Sequence, residues 1–177
     1  MNVEQLAAVE EKWLNMQRGL GGDRETLYER DGVYAAWREM FGQYVALARE
    51  GDLEACKRAL FFVWAQCSIS HLTTGIKDLD EDTVKETLGI ADKLVRDSQL
   101  DAELEWMLPY YYLVEPSYLD RFEDLHALKQ RSSTNPFEYR RRCLEASFDH
   151  RGQMGEYWKT EQAHLRRWRQ SVRDHKS

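Results

Sequence analysis

The sequence predicts an all-α fold: an irregular single-domain bundle of six to eight helices around a central apolar helix at about residues 53–70. Three observations carry this. Apolar residues recur in steps of three and four along most of the chain. No strand-like alternation bounded by a tight turn occurs. Ten glycines and three prolines in 177 residues leave too little punctuation for a barrel or sandwich of many short strands.

Leu6, Val9, Trp13, Met16 and Leu20 share one side of a first helix from about Val3 to Leu20, which Gly21 and Gly22 end. A second stretch from Asp23 carries Tyr34, Trp37, Phe41, Tyr44 and Ala48 on one stripe, with an interruption at Asp31-Gly32, and stops at Gly51. Asp52 then caps the third helix. That helix reads Arg-Ala-Leu-Phe-Phe-Val-Trp-Ala-Gln-Cys in its middle and is apolar nearly all round, which requires neighbours on several sides.

After His71-Leu-Thr-Thr-Gly75, the cluster Asp80, Glu81, Asp82 places negative charge at the positive end of a fourth helix (Val84, Leu88, Ala91, Val95). Asp101 caps a fifth, which Pro109 must kink or interrupt because it has no amide hydrogen and its ring crowds the preceding turn. Pro116-Ser117 opens a sixth with Tyr118, Phe122, Leu125 and Leu128 facing inward. A polar linker at about 131–135 precedes a basic C-terminal helical region, 136–177. Within it, Asn135-Pro136-Phe137-Glu138 is a helix start, and a last helix from about Gln153 carries Met154, Trp158, Glu161, Leu165, Trp168 and Val172 on one stripe.

The formal net charge of −6 is uneven: residues 1–135 carry 15 basic against 25 acidic groups, a net −10, and residues 136–177 carry 10 against 6, a net +4. So acidic a body repels polyphosphate except through the tail, which counts against general nucleic-acid binding. The three cysteines, Cys56, Cys67 and Cys143, are odd in number, and the first two lie about 16 Å apart along one helix, too far for a bridge. With no basic-then-apolar leader at Met1-Asn-Val-Glu-Gln-Leu, free thiols in a soluble cytoplasmic protein are expected. The longest uncharged run, Ala59 to Ile76, is continuously apolar only to Ala65 and does not span a membrane.

No Gly-rich phosphate loop, Gly-x-Ser-x-Gly elbow, Cys-x-x-Cys or His-Glu-x-x-His is present. Asp78, Asp80 and Asp82 open like a calcium loop, but Thr83 and Gly89 stand where that loop needs Gly and Glu, so they are read as helix capping.

The sharpest constellation is a pair of Glu-x-x-His motifs, Glu123/His126 and Glu161/His164. On helices, two such pairs plus a Glu from each of two more helices, here Glu103 with Glu138 or Glu145, make a carboxylate-bridged metal site. Glu161 also lies on an inward stripe, so it needs a partner; an internal ion pair with an arginine is expected. Arg121-x4-His126 and Arg169-x5-His175 resemble the Arg-x4–6-His signature of the helical HEPN ribonucleases. The resemblance is confined to these residues, establishes no family, and implies RNA cleavage. Arg166, Arg167 and Arg169, with Trp158, Trp168 and Arg140-Arg141-Arg142, could grip phosphates or bases; the simpler alternative is a basic helix docked on the acidic remainder.

Two segments suit a recognition surface. Tyr110, Tyr111 and Tyr112 are consecutive, and one helix face cannot bury all three, so at least one ring is expected to be exposed or to line a groove. His71, Thr73 and Thr74 form a second candidate binding edge at the end of the central helix. The leading functional expectation is therefore a protein that binds another macromolecule, namely a protein, as an adaptor, inhibitor or immunity-type factor, with no cofactor. A metal-dependent helical-bundle enzyme stands second and an RNA-binding or RNA-cleaving domain third.

Overall fold

The computed structural model describes the backbone of residues 1–174 and the side chains of residues 1–172. Among the described residues there are eleven α-helices, one 3-10 turn and no strand. Six helices are long: α1 (Val3–Gly19), α3 (Val33–Arg49), α4 (Leu53–Ser68), α6 (Glu81–Arg96), α7 (Leu104–Val114) and α11 (Gly152–Asp174). Five are short connectors: α2 (Arg24–Arg30), α5 (His71–Thr74), α8 (Ser117–Asp120), α9 (His126–Ser132) and α10 (Tyr139–Glu145). None is long and apolar enough to cross a membrane.

The central helix is where the composition puts it. Every residue of α4 from Ala55 to Ala65 is buried, and α3, α6, α7 and α8 pack around it. Local caps follow their sequence signals: Asn2 with Gln5 forms a capping box on α1, Asp52 accepts from Ala55 N, and Asp80 accepts from both Thr83 N and Thr83 Oγ1. The acidic run at 78–82 thus serves a helix start. All three cysteines are free; burial pushes the thiols of Cys56 and Cys143 up to about 12.

Three local expectations are corrected. Pro109 does not interrupt α7. The Glu105 carbonyl, which would have received the missing Pro109 amide, is taken by Arg131 Nη2 at 2.7 Å, so the helix runs on to Val114. The sixth stretch is two helices, α8 and α9, separated by residues 121–125; its inward residues Tyr118, Phe122, Leu125 and Leu128 are nevertheless all buried. The polar linker begins only after Ser132, which ends α9 and is buried.

Two helices are capped from afar. Leu128 N in the first turn of α9 donates to Asp92 Oδ1 of α6, and Gln153 N in the first turn of α11 donates to Glu10 Oε1 of α1. Around the start of α11 partly buried charges, with the buried Lys57 among them, form one network. Arg151 donates to Glu54 and Glu103, and Lys57 Nζ lies 2.7 Å from Asp101 and 2.6 Å from Glu103.

Burial opposes ionisation of Asp101 and Glu103. Hydrogen bonds from the Leu104 amide and Lys57 at Asp101, and from Arg151 and Lys57 at Glu103, overcome it and hold both carboxyls below their ordinary values of 3.8 and 4.5. A carboxyl depressed in the folded state contributes stability above its unfolded value, which is lost as pH falls through the folded value. The urea midpoint is therefore expected to fall on acidification below about 4.5. A Glu103→Gln variant should show a shallower fall.

Candidate binding groove

The edge His71–Gly75 exists because the chain must leave α4 and turn back under α1. Ser70 Oγ accepts from Leu72 N at 3.3 Å to start the single turn of α5, and Gly75 ends it at φ +74°. A Cβ on Gly75 would sit 2.5 Å from Gln17 Nε2 and 2.6 Å from Trp37 Nε1, so only glycine lets this strap press against α1 and α3. The Thr74 carbonyl then receives two side-chain amides, Gln17 Nε2 of α1 at 3.2 Å and Gln153 Nε2 of α11 at 2.5 Å.

Above these amides lies a groove of about 400 Å³. Its walls are Leu14, Tyr28, Phe61, Ile69 and Tyr157, and Thr73, Thr74 and Thr160 add hydroxyl-bearing side chains. Arg18, paired with Glu156 at 2.9 Å, and Arg24, which donates to the Leu72 carbonyl at 3.1 Å, also line it. Gln17 and Gln153 are 5% and 6% exposed, and Gln17 Oε1 has no donor. A buried amide oxygen without a donor is costly, which marks it as a place a ligand could satisfy.

The opposite side of α5 is fixed by charge. The Glu25 carboxylate accepts from Lys77 Nζ at 2.6 Å, His71 Nε2 at 2.7 Å and Tyr34 Oη at 3.1 Å. The Lys77 bond first, then the His71 bond, bring its pKa down to about 2. His71 thus ties α5 to α2 and lines a separate cavity of about 400 Å³ with Gln66 and Lys77.

Of the residues singled out in the sequence, Thr73 and Thr74 line the groove and His71 stands behind it. The tyrosine triplet divides. Tyr110 and Tyr111 are buried: Tyr110 Oη meets Tyr157 Oη at 2.5 Å, and Tyr111 Oη accepts from Trp158 Nε1 at 3.3 Å. Tyr112 alone is half-exposed; it donates to Asp120 Oδ1 at 3.0 Å and precedes the exposed Leu113 and Val114. Two of the three rings are therefore core residues, because α7 is covered on almost every side as far as Tyr111.

The Glu-x-x-His pairs do not build a metal site. Glu123 falls in the break between α8 and α9, His126 is exposed at the start of α9, and Glu161 and His164 lie 3.4 Å apart. Glu103 is engaged by Lys57 and Arg151, and Glu138 and Glu145 face Arg141. Among the described residues no group of three or more His, Cys, Asp or Glu could hold a metal. Glu161 is half-buried with His164 as its partner, not an arginine; the buried carboxylates are Glu10 and Asp92.

Arg121 follows α8, paired with Glu81, and His126 starts α9 beyond the intervening loop; His175 of the second Arg-to-His spacing lies outside the described residues. Arg166, Arg167 and Arg169 are exposed beyond Leu165, the last buried residue of α11 among the described side chains, and the exposed Trp168 has Arg140 5.0 Å from its ring centre. Arg151, immediately before α11, pairs with Glu54 and Glu103, whereas Arg166, Arg167 and Arg169 are exposed.

The residues the sequence did not reveal are Gln17 and Gln153. An amide has neither charge nor periodicity to mark it, and neither glutamine belongs to a motif. No family model, curated protein or solved structure matches the chain.

Proposed function

We propose that this protein binds a protein partner by seating one of its side chains in the groove between α1, α5 and α11, in an adaptor, inhibitor or immunity-type role. The observation that carries this is the groove itself: a concave apolar cavity with a few convergent polar groups is the common form of a binding site. Leu72 of α5, which adjoins the groove-lining Thr73 and is 38% exposed, adds an apolar contact for such a partner. A cytoplasmic setting belongs to the same proposal and is supported by three unbridged thiols.

The test is selection of a phage-displayed peptide library on the wild-type protein, with Thr160→Arg as the comparison. Thr160 is exposed and lines the groove, so arginine there should obstruct entry without disturbing the core. Selected peptides are expected to share an apolar anchor and to bind the variant at least about tenfold more weakly, with Tm unchanged. Absence of enrichment, or equal affinity for Thr160→Arg, would sink the proposal.

A further inference from the structure

The groove's polar groups also specify which side chain it takes. We propose that the anchor is an aromatic residue carrying an N–H or O–H donor, tryptophan or tyrosine, whose donor reaches Gln17 Oε1. This rests on the groove being the partner site.

Four observations converge on that chemistry. The walls contribute Phe61, Tyr28 and Tyr157 rings beside Leu14 and Ile69, and the volume of about 400 Å³ is far larger than a serine or threonine could fill. Gln17 lines this space, is 5% exposed, and has a carbonyl oxygen that is covered and without a donor in the free protein, so a turn of the amide that presents it to the groove is stabilised by an incoming donor and not by a purely apolar group. Arg18, Arg24 and Glu156 also line the groove, and because Glu156 is paired with Arg18 the remaining charge of Arg24 disfavours lysine or arginine as the donor. An asparagine or glutamine anchor would place two further amide atoms against apolar walls, with only one of their bonds met by Gln17.

Presenting the oxygen requires the amide to turn and give up its bond to the Thr74 carbonyl. The last torsion of a glutamine side chain is soft, and the Thr74 carbonyl keeps its Gln153 partner when Gln17 turns away. Tyrosine and tryptophan combine a large apolar ring with a donor that must be met when buried, so an acceptor at the base of an aromatic groove separates them from phenylalanine.

The experiment is a titration of the ¹⁵N-labelled full chain with N-acetyl-tryptophanamide, N-acetyl-tyrosinamide and N-acetyl-phenylalaninamide, following the amides of Thr73, Thr74 and Thr160. The tryptophan or tyrosine probe is expected to bind at least about tenfold more tightly than the phenylalanine probe. In Gln17→Leu that gap should close, with the phenylalanine probe gaining affinity. Phenylalanine binding as well as the other two, or a gap that survives Gln17→Leu, overturns the donor assignment while leaving the groove a binding site. If no probe moves those three amides, the groove is not the site, and the inference fails with that reading.

Discussion

Replacing Glu10 by alanine is expected to destabilise the fold by about 3–5 kcal/mol, the usual consequence of removing one partner of a buried ion pair. Glu10 is 1% exposed and joins three helices. Its Oε2 accepts from Tyr44 Oη at 2.6 Å and lies 3.4 Å from Arg58 Nη1, while Oε1 accepts from Gln153 N at 2.8 Å. The carboxylate therefore sits at the positive end of α11 in place of a capping residue from its own chain segment. Room for it comes from Gly152 at φ +55°, where a Cβ would lie 2.0 Å from the carboxylate carbon. Alanine at position 10 leaves a buried tyrosine hydroxyl and a helix-start amide without an acceptor, and leaves Arg58 with Glu54 as its remaining anion, at 2.9 Å. A urea midpoint within error of wild type would contradict this account.

The same residue gives the pH profile a second limb. Burial pushes the Glu10 carboxyl above its ordinary value of 4.5, against the opposing pull of Tyr44, Arg58 and the Gln153 amide. A raised carboxyl contributes stability below its unfolded value, lost as pH rises through the folded value. Acidification towards about 4.5 should thus stabilise the wild type relative to Glu10→Gln, whereas Asp101 and Glu103 act below 4.5 and with opposite sign.

What could be read from the sequence is what short spacing encodes. The all-round apolar block of α4 and the caps at Asp52 and Asp80 are local patterns, and the structure contains them where expected. The caps on α9 and α11 were illegible because Asp92 and Glu10 lie 36 and 143 residues from the amides they receive, and no spacing announces such a pairing. The stripe on α11 overstates the burial of Glu161 for a related reason: periodicity marks a face but not which of its positions lie at the edge, and in that turn Gln162 is the covered residue while Glu161 is half-buried. One helix face cannot bury all of Tyr110–Tyr112, and Tyr112 is indeed half-exposed, but the spacing does not say which ring emerges, and α7 buries every residue from Trp106 to Tyr111. Of the candidate site, the strap at 71–75 was visible as a break between helices. Its partners Gln17 and Gln153 come from opposite ends of the chain and became apparent only once α1 and α11 were seen side by side.

Trp64→Ala is the second substitution expected to have a large effect, about 3–5 kcal/mol, a substantial share of the roughly 5–15 kcal/mol that holds a domain folded. Trp64 is 1% exposed at the middle of α4. Its ring stacks on Tyr111 at 4.8 Å between centroids, meets Tyr157 edge-on at 5.0 Å, and touches Phe61 at 5.9 Å. Truncation opens a cavity among these rings, and rigid neighbours on α7 and α11 limit how far it can collapse. The lost hydrogen bond from Trp64 Nε1 to the Tyr111 carbonyl is the smaller part, since that oxygen still accepts from Glu115 N at 3.0 Å. Trp64→Phe should therefore recover more than half of the loss. Because Tyr157 and Phe61 also line the groove, the alanine variant should lose groove binding even where enough folded protein remains to measure it. A guanidinium midpoint unchanged by Trp64→Ala would show that the centre of the fold is not the apolar segment of α4. Full groove affinity in that variant would show that the groove wall does not depend on it.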